Sequence, residues 1–162
     1  MTVRSMRVFG AGRRDDKGAA ALEFALVAPL LLMVLLGIVS YGYMLSFRQG
    51  MSQGAAEGAR AAAVAIASAT ATQKSDAAVS AVNQSLGSYG VTCNNATGKL
   101  LRDGAEVGTC AVTIAPCLNN TATSCATVDL DYAYRDHALV PLPGLNVVMP
   151  ANLSYTAVAQ VS

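Results

Sequence analysis

The sequence predicts an α+β protein: a long N-terminal transmembrane helix running into a small domain with a short second helix and an antiparallel β-sheet. Three observations support this prediction. Residues 24–47 form an uncharged apolar run, an alanine-rich stretch continues it, and beyond residue 90 the chain becomes β-branched and alternating. The 162 residues accordingly divide into a leader (1–18), the long helix (19–68) and an α+β domain (69–162).

The apolar run is long enough to cross a bilayer as a helix. No residue from Phe24 to Phe47 is charged, and a span needs about 20 apolar helical residues. Arg and Lys outnumber Asp in residues 1–18, whereas the rest of the chain has an acidic excess. The positive-inside rule then places the leader in the cytoplasm and the C-terminal domain outside the membrane. We therefore expect a single-pass protein of the cytoplasmic membrane with an extracytoplasmic domain.

A cleaved secretory signal peptide is the competing interpretation of the same run. It would have a shorter apolar core and a small-residue cleavage site directly after it. The residues that follow the apolar core here, YGYMLSFRQGMSQ at 41–53, fit that pattern poorly.

Small residues recur every four positions along the predicted helix, which we expect to bend at Pro29. They are Gly42, Ser46, Gly50, Gly54 and Gly58. Such a stripe lets another backbone approach closely, and each glycine costs about 1 kcal/mol of helix stability relative to alanine. Gly50, Gly54 and Gly58 are therefore predicted to form a helix-packing surface, with biased composition as the alternative explanation.

The domain beyond the long helix shows two kinds of periodicity. Val79, Val82 and Leu86 are spaced for one face of a short helix near 74–87, which Gly87 and Gly90 would end. In later segments apolar and polar residues alternate, as in TVDLDYAY, and this alternation predicts strands. In that segment Val128, Leu130, Tyr132 and Tyr134 lie on one apolar face, which a helix must cover.

Two further signals concern the turns and cross-links of the sheet. Asp103-Gly104 is a hairpin signal. Four cysteines, all beyond the apolar run, predict two disulfides in an exported domain: Cys93, Cys110, Cys117 and Cys125. Their spacing lacks the paired short gaps of zinc sites. Three pairings are possible; we favour Cys93–Cys110 and Cys117–Cys125, which close the shortest loops.

Little in the sequence indicates catalysis or cofactor binding. His137 is the only histidine and has no recognisable nucleophile beside it, so we expect no enzyme and no cofactor. Asp129, Asp131 and Asp136 could bind a hard cation, but a solvated strand face is the commoner arrangement, and we expect no metal site. The domain has no basic patch, which argues against nucleic-acid binding.

The leader and the apolar run together resemble a known family. Gly18 is followed by four residues, then Glu23 and Phe24, as in the type IV prepilin cleavage pattern. The wider stretch GAAALEFALVAPLLLMVLLGIVSYG, with the later GAAEGARAAAVA, resembles the TadE-like family of minor pseudopilins from tight-adherence (Flp) pilus systems. The resemblance is close over residues 13–66 and loose in the sheet region.

The resemblance implies how the chain is processed and what it contacts. A prepilin peptidase would cut the Gly18–Ala19 bond, and Ala19 would become the new N-terminus in place of the Phe that many type IV pilins carry. Glu23 would be the acid used in assembly. The partners would be the membrane, other pilin or pseudopilin subunits, which the glycine surface would contact, and the Tad secretion machinery.

The function expected from the resemblance is that of a minor, pilin-like subunit for assembly of a Tad/Flp type IV pilus in a bacterium, supporting surface adhesion. The subunit would be stored in the cytoplasmic membrane and could enter a surface pilus. A single-pass membrane-anchored binding or sensor domain is the alternative. Cleavage after Gly18 separates the two functions.

Overall fold

A computed structural model of the protein describes residues 15–66, 68–141 and 148–161. Most of the expected leader, residues 1–14, lies outside these ranges. The chain divides into two compact units, residues 1–39 and 40–162. The C-terminal part of the long helix therefore belongs to the same unit as the sheet.

The first helix, α1, is Asp15–Ala63, with Pro29 inside it. From Gly18 to Val39 its side chains are almost all exposed, and most of this exposed surface is apolar. α1 is long and apolar enough to cross a membrane, and no other helix in the described ranges is. It ends at Ala63 rather than near residue 68, because turns at Val64 and Ser68 precede the second helix.

From Ser40 onward α1 has a buried face. Its buried apolar residues recur at intervals of three and four: Met44, Phe47, Met51, Ala55, Ala59 and Ala62. The second helix, α2, is Ala71–Leu86. It begins with a capping box, in which the Thr70 hydroxyl accepts from Gln73 N and the Gln73 side chain accepts from Thr70 N. The predicted face of α2 is confirmed, since Val79, Val82 and Leu86 are buried.

Five strands form one antiparallel sheet in the order β1-β2-β3-β4-β5. They are β1 Val91–Asn94, β2 Lys99–Arg102, β3 Ala105–Cys117, β4 Asn120–Tyr132 and β5 Leu153–Val161. Each strand pairs with its neighbours in sequence, so the predicted α+β class with an antiparallel sheet is confirmed.

Two glycines determine the geometry of β3. Asp103 and Gly104 connect it to β2 with φ values of 51° and 80°, the pair of positive φ angles that a two-residue hairpin turn requires. Gly108 lies beside a register shift in the β2–β3 pairing. A Cβ atom at Gly108 would lie 2.0 Å from Asp131 O, so no other residue fits there without moving β4.

One face of the sheet packs against both helices. The predicted alternation in β4 is confirmed: Val128, Leu130, Tyr132 and Tyr134 are buried. The opposite face carries exposed polar residues such as Asp129 and Thr156, together with the exposed apolar Val158. Phe47 of α1 packs edge-on against Tyr132, with ring centroids 4.8 Å apart, and this contact joins α1 to the sheet.

Candidate membrane anchor and assembly surface

The predicted cleavage residues lie on the exposed part of α1. Gly18, Ala19 and Glu23 are all exposed, and a Cβ atom at Gly18 would meet nothing within 4 Å. The Ala19 nitrogen is an amide here, because the peptide bond to Gly18 is intact. The proposed partner of Glu23, a free α-amine at Ala19, exists only after cleavage, and this pairing stays a prediction.

The small-residue stripe packs within the chain over much of its length. Cβ atoms at Gly50 and Gly58 would lie 2.8 Å from the Tyr89 ring and from Val82 Cγ2, respectively. One at Gly54 would lie 3.3 Å from Ser85 Cβ. The three glycines therefore allow the close approach of α2 and the turn after it. We expected contact with another subunit, whereas the neighbour of this surface is the protein's own second helix.

An aromatic cluster surrounds Phe47 at the centre of the second unit. Tyr89 and Tyr132 pack edge-on against it. The Tyr132 hydroxyl donates to His137 O at 2.8 Å. Burial raises the pKa of Tyr132, and a hydrogen bond from the Arg102 side chain opposes that rise. Burial also raises the pKa of Tyr134.

The four cysteines form two disulfides, Cys93–Cys110 and Cys117–Cys125. These are the pairs that the sequence favoured. The first is buried in the core beneath α2. The second is half-exposed and closes the far end of the β3–β4 hairpin.

The acidic residues of β4 are engaged by the neighbouring strand. Asp129 accepts a hydrogen bond from Thr156 at 2.5 Å, and Asp131 accepts from Asn152 at 2.9 Å and from Ser154. Within residues 15–66, 68–141 and 148–161, no group of three or more His, Cys, Asp or Glu side chains is arranged to hold a metal ion. His137 contributes backbone hydrogen bonds to this region, donating to Ala133 O and accepting from Tyr132.

The long helix is the part of the chain that comparison with known proteins recognises. Residues 18–60 match the family model described as TadE-like protein. The resemblance drawn from the sequence motifs is thereby confirmed over this segment. No curated protein and no solved structure matches the chain.

The TadE-like match covers α1 from Gly18 to Arg60 and stops before α2. Over this segment the chain is similar to TadE-like proteins. The matched segment includes the predicted cleavage site, Glu23 and the three packing glycines. The sheet and its disulfides lie outside the match.

Two residues that make structural contacts were not singled out by the sequence patterns. Ser40 sits within the apolar run, yet it is buried and its hydroxyl donates to Val140 O at 3.4 Å. Asn83 lies on α2 and binds the backbone of Cys93. The Ser40 contact joins segments 100 residues apart, and the Asn83 contact joins a helix to a strand; periodicity within one element reveals neither.

Proposed function

We propose that this protein is a minor pilin-like subunit that is cut after Gly18 and takes part in assembling a Tad/Flp pilus that supports surface adhesion. Its leader faces the cytoplasm and its sheet domain lies outside the cytoplasmic membrane. A prepilin peptidase, other pilin or pseudopilin subunits and the Tad secretion machinery are its partners. The role is structural rather than enzymatic.

The observation that carries this proposal is the TadE-like match at residues 18–60, which begins at the glycine of the cleavage pattern. The exposure of α1 from Gly18 to Val39 supports storage in a bilayer. Exposed residues on both sides of the Gly18–Ala19 bond also suit a peptidase substrate.

Glu23 gains a partner once the leader is removed. A carboxylate within the membrane costs about 2.5–3.5 kcal/mol at the centre of a span and less near the interface. Four residues separate Glu23 from Ala19, about one helical turn. Attraction to an Ala19 α-amine, on the same or a neighbouring subunit, would offset that cost and favour one stagger between packed helices.

N-terminal sequencing of the cell-envelope form tests the processing step. We expect the wild-type protein to begin at Ala19 and the Gly18→Val variant to remain uncut but inserted. Gly37→Val is the matched control, because Gly37 lies on the same helix and a Cβ atom there also meets nothing within 4 Å. It should be cut normally. A wild-type protein that begins at Met1 or Thr2 would contradict the pilin proposal and leave the anchored binding or sensor domain.

A second experiment tests the assembly role of the acid. Glu23→Ala should insert as well as the wild-type protein, since a charge leaves the apolar segment, but surface pili should be lost. Glu57→Ala, which removes an exposed acid from the same helix beyond the apolar run, should leave pilus number unchanged. Normal pili in the Glu23→Ala strain would argue against pairing between Glu23 and the Ala19 α-amine. They would leave the proposed cleavage after Gly18 unaffected.

A further inference from the structure

Strand β5 forms one edge of the sheet and has a strand beside it on one side only. All of its residues, Leu153–Val161, pair with β4 without a register shift. In an antiparallel ladder, alternate residues direct their backbone N–H and C=O groups to opposite sides of the strand. Within residues 15–66, 68–141 and 148–161, no backbone hydrogen bond joins the outer side of β5 to another segment. The groups on that side are therefore available to a further strand.

The other free edges of the sheet carry features that oppose such pairing. On β1, the backbone of Cys93 is bonded to the Asn83 side chain. Beyond Thr109, β3 has no described strand on its β2 side, but this stretch contains Pro116, which lacks an N–H group, and a register shift follows it. β5 contains no proline, no charged residue and no bulge. Natural sheets usually protect their edges, and a long edge without protection invites pairing with another chain.

The helix side of β5 indicates one half of the side chains that an added strand needs. Tyr155, Ala157 and Ala159 lie on this side and pack against the core, but they are only partly buried. Apolar side chains on the next strand would cover them and extend the core by one row.

The opposite face beside β5 carries negative charge. Asp129 and Asp131 of β4 lie on this face and accept hydrogen bonds from hydroxyl groups of β5. Among the residues that the structure describes, neither carboxylate forms a salt bridge. A lysine on the strand after β5 would start two strand spacings, about 10 Å, from them, and its flexible stem covers much of that distance. A basic side chain there supplies the counter-charge.

We propose that β5 pairs with an extended segment of a second protein, in which apolar side chains on the helix side alternate with Lys or Arg beside Asp129 and Asp131. Main-chain hydrogen bonds hold this segment, as in other cases of strand addition to a sheet edge, and the alternation of its side chains gives specificity. The pairing concerns the sheet domain alone and does not depend on cleavage after Gly18.

Hydrogen exchange of the full-length protein in detergent, with synthetic peptides as probes, tests this pairing. The first probe is a peptide as long as β5 in which Lys and Val alternate. In the second, Glu replaces every Lys. In the third, Pro replaces two central residues of the Lys–Val peptide, because proline cannot donate to the ladder.

We expect the Lys–Val peptide to slow exchange in Leu153–Val161 but not in Val91–Asn94, whose edge Asn83 occupies. The Pro peptide should slow neither, and the Glu–Val peptide should bind more weakly than the Lys–Val peptide. Asp129→Asn keeps an acceptor for Thr156 and should weaken binding of the Lys–Val peptide about two- to five-fold, the contribution of an exposed ion pair.

Unchanged exchange in β5 would overturn the proposal, and equal protection by the Lys–Val and Glu–Val peptides would overturn the basic character of the partner. Slower exchange in β5 when the protein is concentrated without peptide would assign the edge to a second copy of this chain instead. None of these results bears on the pilin proposal, which N-terminal sequencing tests.

Discussion

The side-chain amide of Asn83 binds both backbone polar groups of Cys93. Asn83 Nδ2 donates to Cys93 O at 3.1 Å, and Cys93 N donates to Asn83 Oδ1 at 2.5 Å. These two bonds occupy the edge of β1 that no strand covers. One side chain of α2 thus takes the place of a neighbouring strand and holds the helix against the sheet.

Replacing Asn83 with alanine should lower the free energy of unfolding by about 1–3 kcal/mol, because two partly buried backbone groups lose their partners. Urea unfolding of the full-length protein in detergent, followed by circular dichroism, measures the change. Gln84→Ala is the control, since Gln84 is an exposed neighbour on α2 and its loss should change little. Equal stabilities of the two variants would mean that the Asn83 bonds contribute nothing.

Gly58→Leu should destabilise the second unit by about 3 kcal/mol through overpacking. A side chain at this position runs into Val82 and into Ala78 O, which an added Cβ atom would approach to 3.2 Å. Gly42→Leu belongs to the same stripe but enters open space and should not destabilise. Thermal unfolding compares the two, and a Gly58→Leu protein with the stability of Gly42→Leu would contradict the close contact between α1 and α2.

The two buried tyrosines should respond differently to loss of their hydroxyl groups. Tyr132→Phe removes the bond to His137 O and should cost about 1 kcal/mol. The buried Tyr134 hydroxyl has no partner with hydrogen-bond geometry in the described part of the chain and is approached only by the Leu139 backbone, so Tyr134→Phe should cost less than Tyr132→Phe. Urea unfolding of both variants provides the measurement. A larger loss of unfolding free energy in Tyr134→Phe than in Tyr132→Phe would contradict this difference between the two hydroxyl groups.

Stability should fall as the pH rises above about 10. Burial raises the pKa of Tyr132 and Tyr134 above the ordinary tyrosine value of 10.0, so the folded protein holds protons that the unfolded chain releases. The stability that the two protonated tyrosines contribute is complete below pH 10, and it is lost as the pH rises through their pKa values in the folded protein. Melting temperatures across this range should fall less steeply in the double variant with Phe at both positions, and unchanged steepness would exclude these groups as the cause.

The disulfides should differ in their access to reductant. Cys93 and Cys110 are 4% and 2% exposed, whereas Cys117 and Cys125 are half-exposed at the hairpin end. Under native conditions a thiol reductant should open Cys117–Cys125 first. Alkylation followed by peptide mass spectrometry assigns the order, and simultaneous opening would indicate that the whole domain unfolds before either bond reacts.

Local patterns in the sequence predicted the elements, because each element buries one face at its own period. Val128, Leu130 and Tyr132 alternate as a half-buried strand must, and Val79, Val82 and Leu86 follow the helix period. The Asp103-Gly104 turn was predictable for a similar reason, since few residue pairs tolerate two positive φ angles.

Contacts between distant segments were not predictable in the same way. The spacing of Gly50, Gly54 and Gly58 predicts that they share a close-packed face, but it does not identify the neighbours, which are α2 and the turn after it. The apolar run likewise gives no sign that its last turns are covered, because Phe47 suits a protein core as well as lipid. Cleavage at Gly18 and the pairing of Glu23 depend on partners, and they remain predictions.

The contact between Phe47 and Tyr132 affects the order in which the domain can form. Every strand pairs with its sequence neighbour, so the hairpins close over short chain distances, which favours rapid folding. Phe47, however, lies near the start of the second unit, whereas Tyr132 lies at the end of its fourth strand. During synthesis the apolar stripe of α1 therefore emerges well before the strand that covers it, and a chain that stops short of β4 leaves that stripe open to aggregation or proteolysis.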